Sequence, residues 1–261
     1  MLVARSGSFE PSPLSRASSQ RTPGDKSATS TIKYKVNTAS EVKRYDYNSA
    51  ANTIDFIGNY AAGALLRKQF IDEQGNVTNE YTDMLGQMVC RQVIASAQAT
   101  LSAYYIYDDL GLLRAVLQPN YQDNPSITGN AFTYDYDDRG RMIGKNVPGA
   151  GKTEYVYDQY DRLALSRDAN QLKRGVWAFT KFDALDRPVI TGEITSASTR
   201  TDRSVIVDAL TQHHEDRNNA IFAGYTLDKT APKTAVEGNI LTITFYDDYA
   251  FSKRPILRSI T

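Results

Sequence analysis

The sequence contains few of the residues that most often carry chemistry. One cysteine among 261 residues excludes an internal disulfide, and we expect it, Cys90, to be an ordinary strand residue. No stretch reaches the roughly 18 apolar residues of a membrane helix, and the N terminus lacks the apolar core of a signal peptide. The formal net charge of zero gives no reason to expect nucleic acid or a lipid surface as a partner.

The chain is instead rich in tyrosine, and many of its 17 tyrosines stand in or beside one recurring phrase. The phrase is Asp, usually after an aromatic residue, then two residues, then Gly or Asp. Six copies stand between Phe70 and Val189, which predicts a true internal repeat. Their first and fourth positions are Asp72 and Gly75, Asp83 and Gly86, Asp108 and Gly111, Asp137 and Gly140, Asp158 and Asp161, and Asp183 and Asp186. Looser copies stand at 245–249 and 45–47.

Each copy predicts a β-hairpin. Alternation places residues such as Tyr155 and Tyr157 on one face of a strand, where aromatic rings suit a half-buried surface. The Asp begins the turn, because its carboxylate can accept a backbone N–H two residues later. Gly three residues later suits a left-handed turn position, and Asp is one of the few other residues that tolerate it.

The repeat therefore predicts an all-β fold, in which consecutive antiparallel hairpins form a curved, open sheet. The residues expected to build this repeat are aromatic, turn and arginine residues, namely Tyr107, Asp108, Gly111, Tyr136, Asp137, Gly140, Arg141, Tyr157, Asp158, Asp161, Arg162, Phe182, Asp183, Asp186, Tyr246 and Asp247. Pro188 cannot donate to a sheet ladder, so we expect its strand to be an edge or bulged strand. Between copies six and seven, Val205, Ala209 and Leu210 are at helical spacing, which predicts a short helix near 202–215.

Other constellations give weaker indications of chemistry. Residues 149–153 echo a phosphate loop, but Asn146 replaces the required first Gly and a strand follows, so we interpret them as a connector. His213 and His214 are adjacent, which does not suit chelation from one helix face, and we expect a solvated helix end there. The repeated Asp residues could be catalytic carboxylates or calcium ligands, yet turn formation explains their spacing. Rows of exposed Tyr could bind sugars or peptides by stacking.

The repeated phrase resembles the YD repeat of the RHS family. The resemblance extends to residues 9–14 with 23–24, and to residues 83–89, 107–113 and 245–251. These segments are similar to the amino-acid sequences of large Bacteroidetes-type RHS proteins. It implies a β-sheet that spirals into a hollow shell, often around a C-terminal toxin released at an Asp- and Pro-containing core motif. The chain has no Asp-Pro dipeptide, so we expect a segment of the shell within a larger protein.

The expected organisation has four parts. Residues 1–44 form a basic, Ser- and Pro-rich segment, which composition predicts as disordered over 1–30 and the resemblance assigns to the tail of an upstream family region. Residues 45–192 form the repeat sheet, 193–240 an insertion with the short helix, and 241–261 a further, truncated strand.

The expected function is structural and rests on the resemblance. The chain is interpreted as a non-catalytic part of a shell that encloses or presents a C-terminal toxin or effector, in an extracellular or surface protein. Its expected partners are the rest of the shell and that enclosed domain, and no cofactor or metal is expected. The alternative is an adhesion or carbohydrate-binding module that uses exposed Tyr and Arg.

Overall fold

The structure is a computed structural model that describes residues 7–21, 29–96 and 99–246. Strands take 47% and helices 11% of the residues. The predicted all-β class, with an open and mostly antiparallel sheet, is confirmed.

The chain separates into two compact units, Met1–Tyr134 with Val147–Gly149, and Asp135–Asn146 with Ala150–Thr261. The first unit contains β1 (Gly7–Phe9), β2 (Ala17–Arg21), β3 (Thr29–Val36), β4 (Lys43–Asn48), β5 (Thr53–Asn59), β6 (Leu66–Ile71), β7 (Val77–Thr82), β8 (Met88–Ser96), β9 (Ala99–Tyr107), β10 (Leu113–Leu117), helix α1 (Ile127–Asn130) and the start of β11 (Ala131–Tyr136). Its strands pair antiparallel in the order β1-β2-β3-β6-β7-β8-β9-β10-β11, and β4 pairs only with β5.

The second unit contains most of β12 (Met142–Val147), then β13 (Gly151–Tyr157), β14 (Leu163–Arg167), helix α2 (Ala169–Arg174), β15 (Val176–Phe182), β16 (Pro188–Thr195), helix α3 (Arg200–Asp208) and β17 (Ile240–Ile243). Its strand order is β12-β13-β14-β15-β16-β17. In each unit most strands pair with their sequence neighbours, as consecutive hairpins require. The exception is β3 with β6, which skips the β4–β5 hairpin. β16 and β17 are consecutive strands, but the long segment that carries α3 separates them.

Each unit has its own apolar core. In the first unit the buried residues include Tyr81, Cys90, Tyr104 and Ile106. In the second, Trp177 and Phe179 of β15 are joined by Ile190 and Val207. Because strand side chains alternate, the buried positions Tyr104 and Ile106 leave Tyr105 and Tyr107 on the opposite, half-buried face.

The predicted helix near 202–215 is shorter and differently oriented. It begins at Arg200, where Thr199 and Asp202 form a capping box, and ends at Asp208. Its buried positions are Arg203 and Val207, while Val205 is 63% exposed and Ile206 is 45% exposed. The short helix itself is therefore present, but its buried face differs from the apolar spacing, because Arg203 and Val207, four residues apart on one helical face, are the pair turned inward.

Three local predictions can be placed directly. Pro188 begins β16, which lies between two strands, and the register shifts opposite it, so the bulged alternative holds. Residues 149–150 connect β12 to β13, and 151–157 form the strand expected after this connector. Residues 7–9 and 17–21, within the part of the chain that composition predicts as disordered, pair as β1 and β2.

Candidate functional site: the aspartate turns and their arginines

The six repeated aspartates all begin hairpin turns with the same hydrogen bonds. In each, one carboxylate oxygen accepts the backbone N–H groups two and four residues later. For Asp137 the donors are Arg139 at 3.0 Å and Arg141 at 2.9 Å. The other five repeat this pattern, namely Asp72, Asp83, Asp108, Asp158 and Asp183. One carboxylate oxygen therefore organises the whole loop.

The residue three positions after each aspartate adopts the left-handed conformation. Its φ is 86° at Gly75 and 74° at Gly140, and it is 62° at Asp161 and 61° at Asp186. This backbone region disfavours most residues other than Gly, Asn and Asp. The two turns that use Asp therefore accept some strain at a position where Gly would avoid it.

The second carboxylate oxygen binds an arginine in the later copies. Arg141, Arg162 and Arg187 stand four residues after Asp137, Asp158 and Asp183, and each makes an ion pair of 2.6 to 2.7 Å with its aspartate. At Asp108 the arginine is Arg114, two residues further on. Asp72 binds the side chain of Asn76 instead.

Burial raises the pKa of the Asp137 carboxyl, but hydrogen bonds from the backbone and side chain of Arg141 outweigh it and hold that pKa below the ordinary value. The pKa values of Asp108 and Asp183 are lowered in the same way. These carboxylates are therefore committed to the charged, hydrogen-bonded state.

Two of these arginines also bind the turn of the next hairpin. Arg141 donates to the backbone oxygen of Asp158 at 3.0 Å and to the carboxylate of Asp161 at 2.8 Å. Arg162 donates to the carboxylate of Asp186 and to the backbone oxygen of His213. Asp161 and Asp186, the two residues that replace Gly, are the acceptors, so each replacement supplies a carboxylate to the arginine of the preceding copy.

The same arginines lie against the aromatic residue that precedes the next aspartate. Arg141 lies 5.1 Å from the ring centroid of Tyr157, Arg162 lies 4.5 Å from that of Phe182, and Arg187 lies 4.6 Å from that of Tyr246. Cation–π contacts of this length are favourable. We call the set of Arg141, Arg162 and Arg187, with the aspartates and aromatic rings that they contact, the arginine ladder.

The repeat tyrosines join neighbouring hairpins through their hydroxyl groups. The hydroxyls of Tyr107, Tyr157 and Tyr246 donate to the backbone oxygens of Met88, Met142 and Pro188 at 3.0 to 3.2 Å. Each acceptor stands five residues after the aspartate of the preceding copy. Burial, as the main cause, raises the pKa of Tyr157.

The structure thus places the predicted repeat residues at equivalent positions in successive hairpins. Tyr136 ends β11 and is half-buried, with Gly140 in the turn after it. Tyr246 occupies its repeat position although about 60 residues separate it from the sixth copy. Asp247 lies outside the described residues.

Sequence reasoning missed a buried ion pair in the second unit. Lys181 of β15 and Glu215 are both fully buried, and their charged groups are 2.8 Å apart. Lys181 also donates to the backbone oxygens of Leu227 and Thr230 at 2.9 Å. Glu215 accepts from the hydroxyls of Thr226 and Thr230. Lys181 comes after Trp177 and Phe179 at inward positions, which is the one sequence signal that it faces the core.

The expectation of a solvated helix end at His213 and His214 was wrong. Both residues come several positions after the end of α3 and are half-buried. His213 packs against the ring of Tyr160, 5.0 Å between centroids, and His214 lies 3.1 Å from Asp216. The residue after them, Glu215, is buried in the core, where it pairs with Lys181. The alternation of residues along the sequence does not reveal this pairing. Across 7–21, 29–96 and 99–246, no group of three potential metal ligands is present.

The first unit contains an open groove of about 400 Å³. Four tyrosines line it, Tyr45, Tyr60, Tyr105 and Tyr107, and the lining also includes Arg44, Asp46, Asp83, Asp108 and Asp109. Burial, as the main cause, raises the pKa of Tyr60. Aromatic faces beside hydrogen-bonding groups are the chemistry that recognises sugars and peptides.

Comparisons with known proteins find distant similarity in structure alone. No family model matches the chain, and no curated protein is similar to it. Solved structures of TcdB2-TccC3-Cdc42 and of TcdB2-TccC3 match with TM-scores of 0.48 and 0.43 at 16% and 14% identity. The matches cover 78% and 86% of this chain but only 10% and 12% of those chains.

A third structure, TcdB2-TccC3 without its hypervariable C-terminal region, matches with a TM-score of 0.42 at 15% identity, over 77% of this chain and 12% of that chain. The chain thus spans about a tenth of the length of these proteins. Similarity at this distance concerns the fold alone and carries no conclusion about function. Among the described residues, none of the helices is long and apolar enough to cross a membrane.

Proposed function

We propose that this chain is a non-catalytic wall segment of an RHS-type shell. The observation that carries the proposal is the arginine ladder, in which a side chain of one hairpin holds both the turn and the aromatic ring of the next. The carboxylates that could have served catalysis at Asp137, Asp158 and Asp183 are occupied by backbone N–H groups and by arginine. Because these contacts join neighbouring hairpins, we infer that they stiffen the sheet and do not serve to bind a substrate.

The larger role that we propose is enclosure. The wall would belong to a secreted or surface protein of the Bacteroidetes type and would surround or present a C-terminal toxin or effector. The resemblance of the repeat to the RHS family supports this role. The partners of this chain would then be the remaining shell and the enclosed domain.

Enclosure can be tested in the complete gene product that contains this chain. Limited proteolysis should leave its C-terminal domain protected in the wild type, and Arg141→Met with Arg162→Met should expose it. Arg91→Met, which removes one exposed charge, is the control. Equal digestion of the C-terminal domain in wild type and ladder variant would contradict the enclosure role.

Absence of catalysis has its own test. We expect the purified chain to show no hydrolytic activity on glycosides or peptides that depends on the turn aspartates. An activity that Asp137→Asn abolishes, with an unchanged melting temperature, would contradict the proposal.

A second candidate function is carbohydrate binding in the groove of the first unit, which its four tyrosines favour. Glycan-array binding should be saturable and should be lost in Tyr105→Ala. Tyr134→Ala is the matched control, since Tyr134 is a half-buried tyrosine of the same unit that does not line the groove. A glycan array without binding, or equal loss in both variants, would exclude this candidate.

A further inference from the structure

Asp83 is the one repeat aspartate whose second carboxylate oxygen accepts no hydrogen bond from the residues that the structure describes. Its Oδ1 atom accepts the backbone N–H groups of Leu85 and Gln87, as in the other turns. In the other five copies, Oδ2 accepts a hydrogen bond of 2.7 to 2.8 Å from the side chain of Asn76, Arg114, Arg141, Arg162 or Arg187. The turn at Asp83 therefore lacks a donor that every equivalent turn has.

The missing donor follows from the residue four positions after the aspartate. Gln87 stands there, where the later copies have arginine. Its amide lies beside Gly111 of another turn, and among the described residues Asp83 has no ion pair. Glutamine is also neutral, so it could not supply a counter-charge even if it turned back. Asp83 thus keeps a negative charge without a cation bound to it.

Asp83 and Gln87 both line the open groove of about 400 Å³ in the first unit. Tyr60 and Tyr107 line it as well. Burial is the main cause that raises the pKa of both tyrosines, and the negative charge of Asp83 raises it further. Arg44, the one cation among the lining residues, is exposed and lies 5.8 Å from the ring centroid of Tyr60. A groove wide enough for a side chain therefore opens beside the unpaired carboxylate.

Arg114 shows what a turn aspartate binds elsewhere in the same unit. It pairs with Asp108 at 2.7 Å, and its guanidinium lies 5.0 Å from the ring centroid of Tyr47. The arginine ladder repeats this combination of carboxylate and aromatic ring. A guanidinium suits both partners, because its N–H groups point in its plane towards the carboxylate while its face lies on the ring.

We propose that the groove of the first unit binds an arginine side chain of another polypeptide. The guanidinium donates to Oδ2 of Asp83 and lies against the tyrosine rings, and the exposed Leu85 contacts its methylene groups. Asp46 and Asp109 also line the groove and add negative charge that favours a cation. This site goes beyond the wall role, and it does not require that the groove binds sugars.

The experiment is a calorimetric titration of the full 261-residue chain at low ionic strength. The probe is the peptide acetyl-Gly-Arg-Gly-amide. The same peptide with citrulline, which keeps the shape of arginine without its charge, is the control ligand. We expect saturable binding of the arginine peptide, weakened roughly tenfold or more with citrulline and in Asp83→Asn. Asp72→Asn changes an equivalent turn aspartate that does not line the groove, and it should bind like the wild type.

A second variant tests the site without removing the carboxylate. Gln87→Arg places an arginine where the later copies have one, so it should occupy the site from within the chain. We expect it to abolish binding of the arginine peptide and to raise the melting temperature by roughly 1 to 3 °C. Undiminished peptide binding in Gln87→Arg would overturn the proposal. Should Asp83→Asn fail to fold, Gln87→Arg decides.

The remaining outcomes separate this site from the carbohydrate candidate. Equal binding of the arginine and citrulline peptides, or full binding in a folded Asp83→Asn, would contradict the proposal. Saturable binding of a neutral glycan without binding of the arginine peptide would also contradict it and would favour the carbohydrate candidate. Absence of both kinds of binding would exclude both uses of the groove and leave the wall role untouched.

Discussion

The aspartate turns of the two units differ in the residue that stands four positions after the aspartate. In the first unit, Asp72 and Asp83 have Asn76 and Gln87 at that position, and their left-handed residues are glycines. In the second unit, the residue at this position is always arginine: Arg141, Arg162 or Arg187. Two of the three left-handed residues there are aspartates.

Two features of the second unit therefore belong together: the arginine four positions after the aspartate, and the aspartate that replaces glycine in the left-handed position of the next turn. An arginine at the fourth position reaches beyond its own turn, and it needs an acceptor in the next one. Asp161 and Asp186 provide that acceptor at a backbone conformation that glycine would adopt with less strain. The arginines of the second unit thus bind the turn of the next hairpin in addition to their own aspartate.

The largest expected effect concerns the ion pair that anchors the long connection of the second unit. Lys181→Met leaves Glu215 buried without a counter-charge, so we expect a loss of about 3 to 5 kcal/mol in unfolding free energy. Urea denaturation measures it. Lys173→Met, at an exposed helical lysine, should change stability little. A loss of unfolding free energy below that of Lys173→Met would contradict this expectation. It would mean that the hydrogen bonds from Thr226 and Thr230 are enough to stabilise the buried Glu215.

The same pair predicts a pH dependence. Burial raises the pKa of Glu215, but Lys181 and the threonine hydroxyls lower it more, so the folded pKa lies below the ordinary 4.5. The stabilising contribution is therefore present above about pH 4.5 and is lost as the pH falls through the folded value. In Glu215→Gln, the free energy of unfolding should therefore fall less steeply as the pH is lowered. An equally steep fall would contradict this assignment.

The next effect concerns the aromatic rings between hairpins. Tyr157→Ala removes a half-buried ring, its hydrogen bond to Met142 and its contact with Arg141, and should cost about 2 to 4 kcal/mol. Tyr157→Phe keeps the ring and should cost about 1 kcal/mol. Thermal or urea unfolding distinguishes the two. An equal cost for both variants would show that the hydroxyl alone matters.

The ladder itself can be tested by a double-mutant cycle between Arg162 and Asp186. Asp186 is 66% exposed at its side chain whereas Arg162 is 12% exposed, so solvent weakens the pair and we expect a coupling of about 0.5 to 1 kcal/mol. The matched cycle uses Arg141 with Asp161. Zero coupling in both cycles would show that the lateral contacts do not contribute to stability.

The smallest expected effect comes from exchanging the two kinds of turn residue. Gly86→Asp places an aspartate in the left-handed position of a turn whose preceding copy offers Asn76 and no arginine, and should cost about 1 kcal/mol. Asp161→Gly relieves the strain but loses the ion pair, so its net change should be within about 0.5 kcal/mol. Urea denaturation of both variants measures the two costs. Equal costs for both substitutions would remove the distinction between the two turn types.

Spacing along the chain was sufficient to predict the hairpins. The period of two along the strands, the turn aspartate and the left-handed Gly or Asp are local features, and each local hydrogen bond involves residues within five positions. The same locality explains why the bulge at Pro188 could be anticipated, since a residue without an N–H disturbs its own ladder wherever it lies.

The contacts between distant residues depended on how the strands were brought together. Asp161 serves Arg141 from 20 positions away and Glu215 serves Lys181 from 34, and no periodicity connects such residues. The helix that carries Arg203 is short and its buried face includes a charge, so hydrophobic spacing pointed to the wrong side. Local geometry is encoded in neighbouring residues, whereas the partner of a buried charge is set by the packing of whole elements. The arginine ladder and the buried pair of Lys181 and Glu215 arise at this second level.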